Sequence, residues 1–336
     1  MAVELLPDEV IVEILSILPA ESLLRCRLVC KWWLTLISSS KFKLMHLHNF
    51  NQLNPRYFVG RLDYFASEEW FCVHLDDEAF SFDDSTQIEF PFDRSRGFGY
   101  DNISDDYKVV SLIYDASSLS TRPKVEVYSV KTGIWREVMF PDNVLCYCTF
   151  PMWLQVFFNG VVHWTAFDLT PSFSIMTFDI TTELFEQIQF PEFLTEKYLR
   201  VFVAGESLAA VQDVTLDRVD SGSTYRVWVM KEYKNPASWT MLYHVKNADV
   251  NLREPLRLRN NGDMIAELKN RDMIMFNHNE GSYVNVFGDS VEEGFDCRTY
   301  VDRFQESLAL LDVGDSVPNE EAMEALMMIE KQGMRL

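Results

Sequence analysis

Residues whose types and spacing suit catalysis are few, and none completes a known catalytic motif. Gly205-Glu-Ser-Leu-Ala209 is similar to the Gly-x-Ser-x-Gly turn that exposes a nucleophilic serine, but Ala209 replaces the second glycine and Ser207 lies in a segment with strand character. Gly97-Phe-Gly99 precedes another strand, so no helix N-terminus is available there to bind a phosphate. The sequence has no P-loop and no His-Glu-x-x-His motif. We therefore expect no catalytic residue and predict that the chain is not an enzyme.

Potential metal ligands are also sparse. His46 and His48 are two residues apart but have no neighbouring cysteine or acidic ligand, and we interpret them as part of a solvated helix end. Cys146 and Cys148 point to the same side of a predicted strand, an arrangement typical of core packing. The acidic residues between Asp76 and Asp84 lack the spacing and the glycine of a calcium-binding EF-hand, which favours a solvated loop. The sequence therefore predicts no metal and no cofactor.

The net charge of the chain excludes one large class of partner. The 336 residues include 51 Asp and Glu but only 30 Lys and Arg, which gives a formal net charge of −21. Proteins that bind a phosphate backbone need a basic surface, so we expect no nucleic-acid partner. The first fifty residues hold five acidic and five basic side chains, and the remainder carries the whole negative charge. This split predicts two parts with different roles, a neutral head and an acidic body.

The apolar segments do not indicate a membrane protein. Residues 143–167 contain no charged side chain, but Pro151, Gln155 and the pair Asn159-Gly160 interrupt the run, which favours buried strands over a transmembrane helix. Acidic residues interrupt the apolar N-terminus, so no secretion signal is predicted. Six cysteines without a Cys-x-x-Cys pair are too sparse for a disulfide scaffold. We expect a protein of the cytoplasm, the nucleus or both.

Apolar residues in the head recur at helical spacing. A first helix is predicted between Pro7 and Pro19, with an apolar side formed by Val10, Ile11, Ile14, Leu15 and Leu18. A second begins at Glu21, and a third carries Trp32, Trp33, Leu36 and Ile37. Three helices within about 40 residues are too few to bury a stable core alone. Another protein, or the body of the same chain, must cover their surplus apolar surface.

The body repeats a short pattern of strands and turns. After residue 96, aromatic and β-branched runs are separated by turn residues. In each predicted hairpin an aromatic residue begins the second strand, and these residues are spaced by 50, 54 and 44 positions: Trp135, Phe185, Trp239 and Tyr283. A second element, such as Gly160 to Trp164 or Ser307 to Leu311, recurs between these hairpins and is predicted to be an inner strand. The period is near the roughly 50 residues of kelch-type propeller blades, and a β-sandwich is the alternative. We predict six core anchors: Trp135, Trp164, Phe185, Trp228, Trp239 and Tyr283.

Widely spaced positions in the head match a known pattern: Leu6-Pro7, Ile14-Leu15, Leu18-Pro19, Ser22-Leu23, Arg27, Val29 to Trp33, Leu36-Ile37 and Phe42. This pattern resembles the F-box. The resemblance implies that the head docks on the Skp-type adaptor, and through it on the cullin, of an SCF (Skp, cullin, F-box) ubiquitin ligase. It further implies ten adaptor-facing or helix-locking positions, some of them internal core: Leu6, Pro7, Ile11, Leu15, Leu18, Pro19, Leu23, Val29, Cys30 and Trp33.

Segments of the body match a second pattern: Gly97 to Val110, Val125 to Trp135, Asn159 to Trp164, Phe178 to Thr182, Trp228 to Trp239 and Glu306 to Leu311. They resemble the F-box-associated domain of plant F-box proteins. Within that family the S-locus F-box group is similar, and its pollen proteins recognise pistil ribonucleases. One strand block of the family is missing here, because Phe90-Pro-Phe-Asp93 runs directly into Arg94. About one blade is therefore expected to be absent, which puts closure of a ring in doubt.

Together these patterns predict an α+β multi-domain chain. An all-α F-box head (1–45) precedes an acidic connecting segment with room for first strands (46–96), an all-β, propeller-like and kelch-like repeat domain (97–313), and an acidic tail (314–336) that is predicted to be helical. The resemblance implies a non-catalytic substrate receptor whose body binds an unidentified target protein, and the acidic charge favours a basic target.

Two further points concern the loops predicted to bind the target and the alternatives to the receptor function. The segments Asp213 to Ser223 and Asn247 to Asn261 are long and polar, and they are predicted to project toward the target. One alternative is a propeller-type enzyme or ligand-binding protein whose head is only a helical cap. The other is an F-box scaffold that does not ubiquitinate its partner.

Overall fold

Helices and strands occupy separate parts of the chain. The computed structural model describes residues 6–63, 68–76, 82–89, 94–114, 122–142, 144, 147–148, 155–167, 173–194, 199–214, 224–246, 252–259, 261–277, 280–287 and 297–308. In these ranges every α-helix ends by Leu53 and every strand begins at or after Arg56. The predicted fold class, an all-α head followed by an all-β propeller, is confirmed. The predicted tail (314–336) lies outside the described residues.

The head consists of four helices: α1 (Asp8–Ser16), α2 (Ala20–Cys26), α3 (Lys31–Ser38) and α4 (Ser40–Leu53). Pro7 and Pro19 directly precede α1 and α2, where a missing N–H costs nothing because the first amides of a helix have no intrahelical acceptor. The Ser39 hydroxyl accepts a hydrogen bond from the Phe42 amide at 3.3 Å and so caps α4. α4 extends past the predicted head boundary, and strands begin three residues after its end.

The described part of the body contains 21 strands in five antiparallel sheets, which we call blades 1 to 5. Blade 1 holds β1 (Arg56–Asp63), β2 (Glu68–Leu75) and β3 (Phe82–Glu89). Blade 2 holds β4 (Arg94–Asp101), β5 (Asp106–Ile113), β6 (Lys124–Ser129) and β7 (Ile134–Val138). Blade 3 holds β8 (Tyr147–Cys148), β9 (Gln155–Phe158), β10 (Val161–Phe167), β11 (Phe173–Asp179) and β12 (Phe185–Gln189).

Blades 4 and 5 complete the series. Blade 4 holds β13 (Leu199–Ala204), β14 (Ser207–Asp213), β15 (Thr224–Met230) and β16 (Trp239–Lys246). Blade 5 holds β17 (Leu252–Leu258), β18 (Met264–Leu268), β19 (Met273–Asn277) and β20 (Ser282–Phe287). The last strand, β21 (Cys297–Phe304), returns to blade 1 and pairs with β1. Short 3₁₀ turns lie at Glu192–Leu194 and Pro236–Ser238.

The five blades are arranged around one axis. Their innermost strands are β21, β4, β9, β13 and β17, and residues from all five line a single cavity of about 550 Å³. Apolar cores lie between neighbouring blades, for example between blades 2 and 3 around Trp164 and between blades 5 and 1 around Tyr57. The body is therefore a five-bladed β-propeller.

The ring closes through strand exchange between the two ends of the body. β21 pairs antiparallel with β1 along its whole length, from Arg56 opposite Phe304 to Asp63 opposite Cys297. Blade 1 thus takes its innermost strand from the C-terminal part of the chain and its other strands from the part that follows the head. The ring, whose closure the sequence put in doubt, has five blades and is closed by this pairing.

The repeat found in the sequence covers the outer three strands of each blade and not the innermost one. The hairpins that end in Trp135, Phe185, Trp239 and Tyr283 are the third and fourth strands of blades 2 to 5. The element predicted as an inner strand, such as Gly160 to Trp164, contributes to the second strand. Its supposed last copy begins after β21 at Ser307, where the chain is no longer in a sheet, and residues 309–311 lie outside the described ranges.

Two glycines of β4 set the spacing between blades 2 and 3. A Cβ placed on Gly97 would lie 2.5 Å from side-chain atoms of Trp164 and Val162, and one on Gly99 would lie 2.3 Å from the Phe157 ring. Gly97-Phe-Gly99 is therefore part of the strand itself and not a turn before it. Its glycines are required because the neighbouring blade approaches the β4 backbone directly.

Candidate functional site

The described head exposes many large apolar side chains, while others pack in its core. Between residues 6 and 32 the most exposed of these side chains are Leu28, Val29 and Leu6, with relative accessibilities of 87%, 64% and 57%. We call the exposed apolar side chains of this range the apolar head surface, and they are Leu6, Val10, Ile14, Ile17, Leu24, Leu28, Val29 and Trp32. Apolar groups of this size, gathered on a small module, are typical of a protein-binding surface.

The two sides of α1 explain how the surface arises. Ile11, Leu15 and Leu18 follow each other at helical spacing and face the interior of the head. The residues directly before them, Val10, Ile14 and Ile17, share an adjacent side and are exposed. A helix that is apolar on both sides must bury one side in its own domain and present the other to a partner.

The ten residues predicted to face an adaptor or lock a helix separate into three groups. The exposed group contains Leu6, Pro7, Pro19, Val29 and Cys30, and the half-buried group contains Ile11, Leu18 and Trp33. Leu15 and Leu23 are 2% and 0% exposed and pack in the core of the head, so they cannot contact a partner. Their role is to hold the helices together.

Several residues of the apolar head surface were not among the predicted contacts. Val10, Ile14, Ile17, Leu24, Leu28 and Trp32 are all exposed. The signal was present in the sequence, because Val10, Ile14 and Ile17 lie at helical spacing, as do Leu24 and Leu28. What the spacing does not specify is which of two apolar sides of the helix faces outward.

His46 was predicted to lie at a solvated helix end and is instead buried. Its ring lies between those of Phe42 and Phe50, with centroid distances of 6.5 and 5.3 Å. Its Nε2–H donates a hydrogen bond to the Leu18 carbonyl at 2.8 Å, while Nδ1 is buried without a hydrogen-bond partner. Burial lowers the pKa of His46 because a charged ring would lose its hydration. His48 is exposed, so the two rings do not form a metal site.

The other chemical candidates are structural. Ser207 begins β14 after a tight turn between two strands, and no helix follows it as a nucleophile elbow requires. Asp76 pairs with Arg259, whose Nε donates to the carboxylate at 2.6 Å. Cys148 lies in β8, and Cys146 falls outside the described residues, as do Asp77 and Glu78.

The described residues lack a metal-binding cluster and a membrane-spanning helix. No group of three or more His, Cys, Asp and Glu side chains is arranged to hold a metal ion within the described ranges. In the same ranges no helix combines the length and the apolar composition needed to cross a membrane.

The axial cavity is polar and aromatic in character. Phe98, Tyr100 and Phe157 contribute rings to its wall. Arg257, from β17, pairs with the Asp302 carboxylate of β21, so these two opposite charges largely cancel. Leu47 of α4 also lines the cavity, which places the head at one mouth of the propeller axis. The wall of the cavity thus combines aromatic rings with charged and polar groups.

The predicted core anchors differ in how deeply they are buried. Trp164 and Trp239 are buried, and Trp135, Phe185 and Trp228 are half-buried in packed outer strands. Tyr283 is 45% exposed in β20 and does not anchor a core. The first predicted target loop lies largely outside the described residues, and the described part of the second is mostly β17, an innermost strand that does not project as a loop.

Two family models match the chain. The model described as F-box-like matches residues 3–43, and the model described as F-box associated beta propeller domain matches residues 84–308. The first covers the helices that carry the apolar head surface, and the second covers most of the propeller.

Curated plant F-box proteins are similar to this chain. An F-box/kelch-repeat protein from Arabidopsis thaliana is 23% identical over 353 residues, which cover 88% of this chain and 94% of that protein. The F-box protein CPR1 from Arabidopsis thaliana is 24% identical over 322 residues, covering 72% of this chain and 73% of that protein.

Solved structures give weaker likenesses. TolB from Acinetobacter baumannii superposes with a TM-score of 0.38 and 11% identity, covering 76% of this chain and 61% of that chain, which is less than two thirds of its length. The SapL1 lectin in complex with alpha methyl fucoside gives a TM-score of 0.33 with 10% identity, covering 58% of this chain and 62% of that chain. Scores this low support no argument about function.

Proposed function

This chain belongs to the family of F-box associated β-propeller proteins, and from that premise we propose that it is the substrate-recognition subunit of an SCF ubiquitin ligase. In this proposal the head binds a Skp-type adaptor, and through it a cullin, while the propeller binds a target protein. The observation that carries the proposal is the apolar head surface, which lies within the F-box-like match and remains exposed while other apolar side chains of the head pack in its core.

The energetics of the head favour a partner. Burial of apolar surface contributes about 25 cal/mol per Å², and the eight side chains of the apolar head surface are substantially in water. Leu28 and Val29 lie in the turn between α2 and α3, where they make no contribution to the head core. Docking on an adaptor would remove these side chains from water without rearranging the buried residues.

The proposed activity needs no catalytic group in this chain. A receptor accelerates ubiquitin transfer by holding the target near the ubiquitin-carrying enzyme, which raises the effective concentration of the target lysine. A non-catalytic role agrees with a family whose members share a binding module and a propeller. We propose that the protein acts in the cytoplasm, the nucleus or both, where SCF ligases operate.

The target is proposed to be a basic protein. The formal charge of −21 lies almost wholly outside the head, so the propeller side of the molecule would attract cationic partners. A basic ribonuclease, as recognised by the S-locus F-box group that the body resembles, is one target of this chemical class.

The adaptor-binding role is tested with substitutions in the exposed turn of the head. We expect the double substitution Leu28→Asp and Val29→Asp to weaken binding of a purified Skp-type adaptor at least tenfold, because two charges would be placed in an apolar interface. The matched control is Met139→Asp, an 89% exposed apolar residue of the propeller, which should bind the adaptor like the wild type. Isothermal titration calorimetry measures the affinities, and circular dichroism checks that each variant is folded.

The results distinguish the proposal from its alternatives. If the wild-type chain does not bind the adaptor, the head is a helical cap on a propeller with another function. Binding that survives the double substitution would show that a different surface of the head is used. A chain that binds adaptor and cullin but supports no ubiquitination of a bound target would be a scaffold.

A further inference from the structure

The segment that follows the last strand of the propeller reaches into the head. Leu308 is 1% exposed and packs in the core of the head with Leu15, Leu23 and Phe42. The head is formed by the first fifty or so residues, yet one of its core side chains comes from the opposite end of the described chain. The hydrophobic core of the head is therefore completed by the body.

Glu306 makes the polar part of the same connection. Its carboxylate accepts a hydrogen bond from the Ala20 amide, the first residue of α2, and also lies 3.4 Å from the Arg56 guanidinium. Pro19 precedes α2 and offers no side-chain cap, so the Glu306 carboxylate acts as the cap of that helix from 286 residues away in sequence. A carboxylate is well suited to this position because the helix N-terminus carries a partial positive charge.

The backbone of Glu306 is held as firmly as its side chain. Its N–H donates to the Asn51 side-chain oxygen at 2.7 Å, and its carbonyl accepts from the Asn51 side-chain nitrogen at 2.9 Å. Asn51 belongs to α4, so this pair of bonds joins the last helix of the head to the segment that leaves β21. Because both bonds involve the Asn51 side chain, they fix the position and the orientation of the Glu306 backbone together.

The next residue attaches the segment to another blade. The Ser307 hydroxyl lies 3.1 Å from the Tyr107 hydroxyl, and both residues are buried. Tyr107 is in β5 of blade 2, whereas β21 is in blade 1. A separate bond, from the Ser40 hydroxyl to the Asp105 carboxylate at 2.6 Å, also joins α4 to blade 2. The head is thus connected to two neighbouring blades.

We infer that residues 305–308 form a strap that fixes the orientation of the head on the propeller, with Glu306 and Leu308 as its positioning residues. The purpose of the strap rests on the proposed function. A receptor raises the effective concentration of the target only if the adaptor and the target are held in a defined geometry. The strap follows directly after the strand that closes the ring, so head orientation and ring closure depend on one continuous segment.

The strap is tested by separating adaptor binding from head orientation. The variant Glu306→Ala with Leu308→Ala removes the helix cap and the shared core contact, while the matched control Gln305→Ala changes an exposed residue of the same segment. Small-angle X-ray scattering of the full chain in complex with purified adaptor measures the overall dimensions. We expect the double variant to give a broader distance distribution and a larger maximum dimension, and the control to match the wild type. Adaptor affinity should stay within about twofold, because both residues lie outside the apolar head surface.

A milder variant tests the strap if the double variant does not fold. Glu306→Gln keeps the size of the side chain and removes its charge, and hydrogen exchange of the α2 amides should become at least tenfold faster than in wild type. Unchanged scattering of a folded double variant, or unchanged exchange in Glu306→Gln, would overturn the strap. Scattering of the free chain gives the same comparison without the adaptor, so failure of the wild type to bind adaptor would refute the proposed function and leave the strap testable.

Discussion

His163 is a residue whose buried position gives the protein a measurable dependence on pH. It is fully buried in β10, where its Nδ1–H donates to the Val156 carbonyl at 3.1 Å and its Nε2 accepts from the Tyr233 hydroxyl at 2.9 Å. The neutral ring satisfies both nitrogens, and burial lowers the pKa of His163 from 6.5 to about 4 because a charged ring would lose its hydration. The folded protein therefore binds this proton more weakly than the unfolded chain does.

We expect acidification to destabilise the protein through His163. Its contribution to the free energy of unfolding is fully present above pH 6.5 and is lost as the pH falls toward about 4. The loss should be on the order of 3 kcal/mol, because one unit of pKa corresponds to about 1.4 kcal/mol. Urea denaturation at several pH values between 7 and 4 measures it. The variant His163→Gln should show a flatter dependence, and the exposed-site control His48→Gln should follow the wild type; equal slopes for all three proteins would contradict the assignment.

Ion pairs between elements join one blade to the next. Lys108 of β5 pairs with Asp101 at 2.8 Å and also donates to the Ile180 carbonyl at 3.0 Å and to Glu183 at 3.1 Å, in the turn between β11 and β12. Asp101 in turn accepts from the Thr181 hydroxyl of that turn. These hydrogen bonds keep the pKa of Asp101 well below its ordinary value despite the opposing effect of burial, so the carboxylate stays ionised.

Removing the lysine should therefore cost more than removing a surface lysine. We expect Lys108→Met to lower the free energy of unfolding by about 3 kcal/mol, because it leaves the Asp101 carboxylate buried without its cation. The control Lys124→Met removes an exposed lysine paired with Glu126 and should change the stability far less, because solvent screens exposed ion pairs. Urea midpoints at pH 7 test both variants. A loss for Lys108→Met no larger than that of the control would mean that the pair does not join the blades.

The outer strands could be predicted from the sequence, because one face of each strand packs in a core and the other face contacts a turn or solvent. The innermost strands do not show this pattern of residues. β17 contains Arg253, Glu254, Pro255 and Arg257, and its pairing with β18 has two register shifts, so it reads as a polar loop. Its polar residues are used by ion pairs, including Arg200 to Glu254 and Arg257 to Asp302, whose partners lie on neighbouring blades. No local pattern in the sequence indicates which residues form these ion pairs.

Prediction of the head from the sequence is limited in the same way. Helical spacing predicted apolar sides for α1, and the resemblance to the F-box predicted the class of partner. The distinction between buried Leu15 and exposed Ile14 depends on where the body lies, and part of that core is Leu308. A contact between residues almost three hundred positions apart cannot be inferred from the periodicity of either segment.

At the scale of the whole molecule, most of the buried basic groups serve internal ion pairs. Arg257 pairs with Asp302, Arg259 with Asp76 and Lys108 with Asp101, and all of these groups are largely shielded from solvent. The chain has 30 Lys and Arg against 51 Asp and Glu, so internal pairing leaves an excess of acids without basic partners. That excess is both a source of self-repulsion and the field that would attract a basic target.

Salt should therefore stabilise the folded chain. Raising NaCl from 10 mM to 150 mM shortens the screening length from about 30 Å to about 8 Å, which weakens repulsion between surface acids while buried pairs are screened much less. We expect the urea midpoint to rise, with a gain in the free energy of unfolding on the order of 1 kcal/mol. Replacing NaCl by KCl at equal ionic strength is the control, because a screening effect does not depend on the cation. Stability that stays constant or falls with salt would mean that the acids are compensated locally, and the proposal of a basic target would then lose its electrostatic support.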